Sequence, residues 1–225
     1  MTLEHVGYIV DGNRRWAKAR GLPSIQGHKK GFEVLKEIVE VTFERGVKFV
    51  TAFIFSTENW NRSKEEVDYL MHLFESYFDR EVKKLHKKDI RVVFLGSRTK
   101  NVSKKLVGLM EKGEELTKNN RSGTLGLCFN YGGQLEIAEA CQKIVDSGVK
   151  KVTTKLIDKY IYHAEIPPMD MLVRTSGEQR ISNFMLWRIS YAEMMWVEKF
   201  WPDMAVGDVD AILNEYASRQ RRHGR

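Results

Sequence analysis

A cluster of charged and amide side chains follows the first apolar run of the chain. Residues 11–16 (DGNRRW) come directly after the strand-like residues 5–10. Gly12 allows close backbone approach, and backbone N–H groups at the start of a helix attract phosphate. Guanidinium groups bind phosphate oxygens in bidentate fashion, and the carboxylate of Asp11 is a ligand that suits Mg²⁺. The spacing predicts a phosphate site here, and a capped turn beside a solvated basic patch is the alternative explanation.

Two more polar segments follow apolar runs later in the chain. Residues 56–62 (STENWNR) come after the second strand-like run, and residues 174–183 (RTSGEQRISN) begin as another such run ends. Helix capping accounts for part of the first segment but leaves Trp60 and Arg62 unexplained. Arginines and hydroxyls around Gly177 are typical of an anion cradle. Neither GxxxxGK[ST] nor GxGxxG occurs, which argues against a nucleotide P-loop and a dinucleotide cofactor.

Strand-like and helix-like patterns alternate along the whole sequence. The predicted strands are residues 5–10, 48–55, 90–96, 123–130, 171–175 and 193–198. The predicted helices are near 28–45, 63–87, 101–118, 133–147, 153–163 and 207–221. This alternation implies an α/β fold with a mostly parallel six-stranded sheet flanked by helices. Because no repeat or linker divides the chain, we expect a single domain over residues 1–225, with ligands at the carboxyl ends of the strands.

The helix predicted over residues 63–87 carries more apolar surface than one sheet contact needs. Ser63 and Glu66 form a capping-box pattern at its start. Apolar residues then recur at spacings of three and four in two adjacent strips, whereas an ordinary surface helix buries one. A large core explains this, and the alternatives are a hydrophobic substrate channel or a dimer partner. With the two basic segments, a channel would provide the parts needed to handle a diphosphate attached to a hydrocarbon.

The charge balance favours anionic partners without naming one. Lys and Arg number 37 against 30 Asp and Glu, a net charge of +7, and four of the positive charges lie in residues 219–225. The 42% apolar and 30% charged content is typical of a folded chain. No run approaches the ~20 apolar residues of a membrane span, and the N-terminus lacks signal-peptide features. Two cysteines and six scattered histidines predict neither a disulfide framework nor a zinc site, so we expect a cytoplasmic protein.

At these segments the sequence resembles the cis-prenyltransferases, the undecaprenyl diphosphate synthase-like family. The matching blocks run in one order from about residue 5 to the end of the chain. They are HVGYIVDGNRRWA (5–17), GHK (27–29), FSTENWNR (55–62), NYGG (130–133), RTSGEQRISNFMLWRISYAE (174–193), WPD (201–203) and the Arg-rich tail. The absence of the DDxxD motif of trans-type synthases agrees with this resemblance.

The resemblance implies a role for each matching residue. Asp11 would bind Mg²⁺ and help the allylic diphosphate leave, Asn59 would serve proton removal, and Glu193 would be a second metal-associated carboxylate supplied across a dimer interface. The implied cradle of the allylic diphosphate consists of Gly12, Asn13, Arg14, Arg15 and His28, with Trp16 packed beside it. The implied segment between the two substrates consists of Ser56, Thr57, Glu58, Asn59, Trp60 and Arg62. The implied clamp for isopentenyl diphosphate consists of Arg174, Arg180, Ile181 and Ser182.

The implied reaction is prenyl chain elongation with Mg²⁺ and no redox cofactor. Isopentenyl diphosphate condenses with an allylic diphosphate, such as farnesyl or geranyl diphosphate, to form a cis double bond and release diphosphate. The implied assembly is a homodimer, with loose membrane association through the product and no nucleic acid partner. The alternatives are a non-catalytic partner subunit, which typically loses the motif that is intact at residues 11–13, and a basic nucleic-acid-binding protein, for which only the short tail is a candidate.

Four residues depart from the family pattern. Arg14 stands where bacterial members usually have Gly, and Ser24 where many have an Arg that contacts the diphosphate. Gln134 and Ser176 replace Arg and Gly in the usual NYGGR and RTGGE motifs. These departures bear on substrate affinity and starter length. At the end of the chain, residues 222–224 (RHG) resemble an Arg-x-Gly ending that some members pass across the dimer interface.

Product length depends on where an apolar channel closes. In the strand over residues 48–55, alternation places Ala52 and Ile54 on one face and Phe53 and Phe55 on the other. If Ile54 points into the channel, its bulk shortens the space and predicts short or medium products. A place in the ordinary core is the alternative for this side chain.

Overall fold

Each of the six strand-like runs forms a strand, and all six belong to one sheet. The computed structural model describes residues 3–98 and 101–219 of the chain. The tail residues 222–225 lie outside this part. The strands are β1 (His5–Ile9), β2 (Phe49–Ser56), β3 (Ile90–Leu95), β4 (Gly123–Tyr131), β5 (Met171–Thr175) and β6 (Glu193–Val197). Their bounds differ from the predicted ones by one residue at most.

Every strand pairing in the sheet is parallel. The strand order is β3-β4-β2-β1-β5-β6, so that β1 lies between β2 and β5. The remaining pairings, β2 with β4, β3 with β4 and β5 with β6, have the same direction. All carboxyl ends therefore meet at one edge of the sheet. The α/β fold with a parallel six-stranded sheet is confirmed, and it is parallel throughout these six strands.

Seven α-helices flank the sheet in the described part of the chain. They are α1 (Asn13–Lys18), α2 (Ser24–Glu44), α3 (Lys64–Lys87), α4 (Lys104–Thr117), α5 (Gly133–Asp146), α6 (Thr154–Tyr160) and α7 (Val206–Ser218). The sequence pattern missed α1, and it missed the 3-10 helices at Thr57–Asn61 and Trp201–Asp203. All three are too short to show an apolar spacing that repeats over several turns. Helix α2 also begins four residues earlier than predicted, which brings Ser24 into its first turn.

The core is divided into two layers by the sheet. The larger layer packs α2, α3, α4 and α7 against one face, and Tyr8 and Trp201 lie fully buried in it. The smaller layer, on the other face, holds side chains of residues 161–189 such as Phe184. Burial of this much apolar surface is the main stabilising contribution to the fold. It also fixes the loops that leave the carboxyl ends of the strands.

The face assignment along β2 is wrong at one residue. Ala52, Ile54 and Phe55 all pack in the larger layer, and Phe53 alone among these four packs in the smaller one. The cause is an irregular register with β4 between Phe53 and Ser56, which interrupts strict alternation. Ile54 therefore faces α2 and α3, and Phe55 joins it on that side.

The predicted capping box at the start of α3 forms by half. Ser63 caps the helix, because its Oγ accepts the Glu66 N–H at 3.3 Å. The Glu66 carboxylate does not complete the box and instead accepts hydrogen bonds from His28 and Arg62. A residue predicted as a helix signal thus holds two residues that line the polar cleft described below. Within residues 3–98 and 101–219, no helix combines the length and apolar character needed to cross a membrane.

Candidate active site

The loops that follow β1 and β5 meet the start of α2 around one polar cleft. The cleft has a volume of about 820 Å³ and lies at the carboxyl edge of the sheet. Its lining residues are Val10, Asp11, Gly12, Asn13, Arg14, Arg15, Lys18, Gly21, Leu22, Pro23, Ser24, His28, Arg62, Glu178 and Arg180. Eight of the predicted site residues are among them. The three polar segments of the sequence therefore do converge.

Asp11 is one of the two carboxylates that line this cleft, the other being Glu178. Its Oδ2 accepts a hydrogen bond from Arg174 Nη2 at 2.8 Å, and its Oδ1 accepts the Gly12 N–H at 2.7 Å. Arg15 Nη2 lies 3.3 Å from Oδ1. Burial opposes the charge of Asp11, but these hydrogen bonds and the charges of Arg174 and Arg15 outweigh it and lower the pKa of the carboxyl group. Asp11 is therefore ionised at neutral pH.

Arg174, Arg180 and Ser182 form a second cluster next to Asp11. The Arg174 side chain is only 4% exposed and donates to Ser182 Oγ at 2.7 Å and to the Arg180 carbonyl. Its Nε is buried without a hydrogen-bond partner in the described structure. Arg180 itself is 58% exposed and pairs with Glu178, which also accepts from Arg15 at 2.6 Å. The predicted clamp thus joins the cradle through shared ion pairs.

A histidine and two arginines surround Glu66 on the other side of the cleft. Glu66 Oε1 lies 3.1 Å from both His28 Nε2 and Arg62 Nη1, and Arg14 Nε lies 3.7 Å from Oε2. Burial lowers the pKa of His28, while the hydrogen bond to Glu66 raises it less. His28 is therefore neutral near pH 7 and donates its Nε2 proton to Glu66. Arg14, with a side chain 60% exposed, is the freest of these groups to bind an anion.

The segment after β2 forms the 3-10 helix Thr57–Asn61 beside the cleft, outside its lining. Asn59 Oδ1 accepts the Ser56 N–H at 3.2 Å, which fixes the direction of the Asn59 amide. Burial raises the pKa of Glu58, but backbone and side-chain hydrogen bonds outweigh it, so the pKa is lowered. Trp60 packs edge-on against Phe55 and donates its Nε1 proton to Asn130 at 2.8 Å. Its contacts are structural.

Trp16 and Glu193 stand apart from the cleft. Trp16 donates its Nε1 proton to Asp203 Oδ1 at 2.7 Å, outside the cleft lining. Glu193 pairs with Met171 at the amino end of the sheet, whereas Asp11 follows a carboxyl end. Its carboxylate accepts from Arg219 Nη1 at 2.9 Å. The structure therefore does not bring Glu193 and Asp11 together within one chain.

Behind the cleft lie two apolar pockets. The nearer one shares Asn13 and His28 with the cleft lining and has a volume of about 40 Å³. The farther one, of about 50 Å³, shares Phe32, Leu35 and Ile54 with the nearer pocket. It lies in the larger core layer between α2, α3 and β2. The two pockets therefore adjoin each other at Phe32, Leu35 and Ile54, and the nearer one adjoins the polar cleft at Asn13 and His28.

Sequence reasoning missed several residues that organise the site. Glu66 was assigned only to helix capping, yet it holds His28 and Arg62. Glu178 received no role although it lies inside a matching motif, and Asp203 lies in the matching WPD block. Their position in these blocks was the available signal. Within the described residues, no group of three His, Cys, Asp or Glu side chains could hold a metal ion alone.

Comparison with known protein families gives matches that extend over almost the whole chain. The family model described as "Putative undecaprenyl diphosphate synthase" matches residues 9–224. An isoprenyl transferase of Thermotoga maritima is 44% identical, and the match covers 98% of this chain and 96% of the relative. A trans,polycis-polyprenyl diphosphate synthase ((2Z,6E)-farnesyl diphosphate specific) of Thermobifida fusca is 42% identical over 98% of this chain and 80% of its own length.

Solved structures agree with the sequence comparisons. Lavandulyl diphosphate synthase from Lavandula x intermedia, in complex with dimethylallyl diphosphate, has a TM-score of 0.94 at 32% identity and covers 99% of this chain and 98% of that one. A probable undecaprenyl diphosphate synthase from Campylobacter jejuni has a TM-score of 0.84 at 26% identity, with full coverage of both chains. The chain belongs to the cis-prenyltransferase family, that of the undecaprenyl diphosphate synthases, and is a transferase that elongates prenyl chains.

Proposed function

We propose that this enzyme condenses isopentenyl diphosphate with an allylic diphosphate such as farnesyl or geranyl diphosphate. The observation that supports the proposal most directly is the junction of the basic cleft with the nearer apolar pocket. Asn13 and His28 line both, so a diphosphate in the cleft could continue into a hydrocarbon in the pockets. The residues that would bind the allylic diphosphate are Gly12, Asn13, Arg14, Arg15, His28 and Arg62.

Mg²⁺ is the proposed cofactor, and Asp11 would hold it. The ionised carboxylate fits, because Mg²⁺ is bound through one or two carboxylates together with substrate phosphates. The cleft lining holds two carboxylates, Asp11 and Glu178, and Asp11 would be the protein ligand while the substrate supplies the other oxygens. When bound, the ion would neutralise negative charge that develops on the departing diphosphate. Arg15 stands next to this carboxylate and would add to that stabilisation.

Arg174, Arg180, Ile181 and Ser182 are proposed to bind isopentenyl diphosphate beside the first substrate. Arg180 is exposed enough to grip phosphate oxygens, and the buried Arg174 holds the backbone and hydroxyl of the loop in place. In the reaction, the allylic C–O bond breaks and the double bond of isopentenyl diphosphate forms the new C–C bond. A proton is then lost from the adjacent carbon and is taken up by a diphosphate oxygen. Asn59, with its amide fixed by Ser56, is proposed to orient this proton transfer.

A homodimer is the proposed assembly. Strand β6 is the last strand of the sheet, its residues are only half-buried, and Tyr191 just before it is 74% exposed. A second copy could cover this side of the sheet. Glu193, which cannot reach Asp11 in its own chain, would then act as a metal-associated carboxylate in the partner's site.

We also propose a cytoplasmic location, since both Cys128 and Cys141 are free thiols, with loose membrane association through the product.

Product analysis tests the proposed reaction. The purified chain is incubated with isopentenyl diphosphate, starters of one, two or three isoprene units, and either Mg²⁺ or EDTA, and the products are sized. We expect Mg²⁺-dependent elongation that Arg180→Ala reduces strongly. Arg45→Ala is the matched control, because Arg45 is ion-paired with Asp210 on the surface outside the cleft. A pure protein that elongates no starter, but activates a second subunit, would support a non-catalytic partner instead.

A further inference from the structure

Asn183 connects three segments that surround the active site. It follows Ser182 in the loop after β5, and its backbone is left-handed, with φ of 63°. Its backbone carbonyl accepts the Gly133 N–H at 2.7 Å, and its Oδ1 accepts the Gln134 N–H at 2.9 Å. Its Nδ2 donates to Glu58 Oε1 at 3.2 Å. One side chain thus bridges the start of α5 and the 3-10 helix that carries Asn59.

Two glycines allow this close approach. A Cβ on Gly132 would lie 2.9 Å from Asn183 Nδ2 and 2.8 Å from Thr57 Oγ1. A Cβ on Gly133 would lie 3.0 Å from the Asn183 carbonyl oxygen and 2.7 Å from a side-chain carbon of Leu186. Both distances to Asn183 are too short for a side chain to be added without a shift. The packing around Asn183 is therefore tight, which limits how far its amide can move.

Three hydrogen bonds and the peptide bond between Ser182 and Asn183 connect Asp11 to Glu58. Arg174 joins Asp11 to Ser182, and the next residue along the chain, Asn183, holds Glu58. Each of the three hydrogen bonds is 3.2 Å long or shorter. The loop that carries the clamp is thereby tied to the segment that carries Asn59.

We propose that Asn183 is a positioning residue that aligns the Thr57–Asn61 segment with the clamp loop during condensation. This inference rests on the proposed function, because it assigns Asn183 a part in placing Asn59 for proton transfer. Asparagine suits the position in three respects. It tolerates a left-handed backbone, it offers an acceptor to Gln134, and it offers a donor to the ionised Glu58.

Asn183→Asp is the sharpest substitution, because it alters one contact of the three. The aspartate keeps the backbone preference and the acceptor for the Gln134 N–H, but it places a carboxylate oxygen against Glu58. We expect kcat to fall by about tenfold or more, since small displacements of catalytic groups are costly, while KM for the allylic diphosphate stays within about twofold. Asn183→Gly, which also accepts the left-handed backbone, provides a second variant if the aspartate impairs folding.

Restoration of the contact separates positioning from a general structural effect. In Asn183→Asp with Glu58→Gln, the glutamine amide can donate to the new carboxylate. We expect kcat of this double variant to exceed the product of the two single effects by about fivefold or more. Multiplicative single effects, or an Asn183→Asp enzyme with unchanged kcat, would overturn the positioning role alone. A wild-type chain without elongation activity would overturn the proposed function, and the positioning role with it.

Discussion

Asp11 and Arg174 form an ion pair of 2.8 Å between the ends of two adjacent strands. The arginine side chain is 4% exposed and the aspartate side chain 29%, so the cation lies beneath the anion. Because Arg174 also holds Ser182, a single guanidinium group connects the cradle with the clamp. The carboxylate of Asp11 is thus paired with the buried Arg174 and would also bind the proposed metal ion.

Removal of the Asp11 carboxylate should abolish most turnover and leave the fold intact. Asp11→Ala deletes the proposed Mg²⁺ ligand, and Arg174 keeps its contacts with Ser182 and the Arg180 carbonyl. We expect kcat to fall by about 100-fold or more, with a circular dichroism spectrum like that of the wild type. The measurement is steady-state turnover over a range of Mg²⁺ concentrations. Near-normal Mg²⁺-dependent turnover in this variant would overturn the assignment of Asp11.

Ile54 is the second target, because it lies where the two apolar pockets meet. Ile54→Ala should enlarge the space that the two pockets share and shift the products to greater length, at a stability loss of about 1–3 kcal/mol. Val93→Ala is the control, since Val93 is buried in the smaller core layer on the other face of the sheet. Chromatography of the products checks the expectation. An unchanged distribution from an active Ile54→Ala enzyme would reject Ile54 as a floor residue.

Mixed dimers test whether Glu193 acts in the partner's site. Asp11→Ala and Glu193→Ala proteins are each prepared, mixed and allowed to exchange subunits. In a site built across the interface, one of the two sites of each mixed dimer has both carboxylates, so activity should recover to about a quarter of the wild-type value. No recovery, despite mixed dimers seen by native mass spectrometry, would remove Glu193 from the partner's site.

Deletion of the C-terminal residues 222–225 (RHGR) tests whether they take part in substrate binding. Their deletion should raise KM for isopentenyl diphosphate or lower turnover, while the dimer persists in sedimentation experiments. The reason is that arginine binds phosphate in bidentate fashion and Gly224 permits close backbone approach. Unchanged kinetics, together with loss of salt-sensitive RNA or DNA binding, would favour a nucleic-acid arm instead.

His5 should make stability depend on pH. Burial lowers the pKa of His5 from 6.5 to about 4. The imidazole therefore becomes protonated below about pH 6.5 in the unfolded chain, but only below about pH 4 in the folded chain. The free energy of unfolding should therefore fall by about 2 kcal/mol between pH 7 and pH 5. The lowered pKa of His28 acts in the same direction, and the raised pKa of His163 opposes it. Urea unfolding of wild type and His5→Gln measures the effect, and equal slopes in both would contradict it.

Strands were the most predictable part of this molecule. A buried parallel strand appears as a short apolar run, and each of the six runs lies within one residue of the observed strand. Helix α1 escaped notice because its six residues carry the charges of the cleft in place of an apolar stripe. The face of Phe55 was wrong because a change in register with β4 depends on the partner strand and leaves no trace in local alternation.

The matching blocks named residues that do meet in the structure, although they did not predict which of them touch. Arg174 contacts both Asp11 and Ser182, because two adjacent strand ends bring these segments together. The contacts of Glu66 with His28 and of Asn183 with Glu58 were not predicted, although Asn183 lies inside a matching block. Pairings of that kind are set by the tertiary fold, and sequence periodicity does not contain them.

Non-glycine residues with a left-handed backbone are concentrated in the loop after β5 that carries the proposed clamp. At Ser182 the residue type that would favour folding differs from the one proposed to serve catalysis. Ser176, Ser182 and Asn183 have φ of 77°, 46° and 63°. At the two serines, glycine would release about 1 kcal/mol or more of backbone strain, whereas asparagine tolerates this conformation. A library of variants selected only for heat resistance should therefore accumulate glycine at the two serine positions, and it should lose the Ser182 hydroxyl in the process. Activity would disappear from such a library before the hydrophobic core had changed.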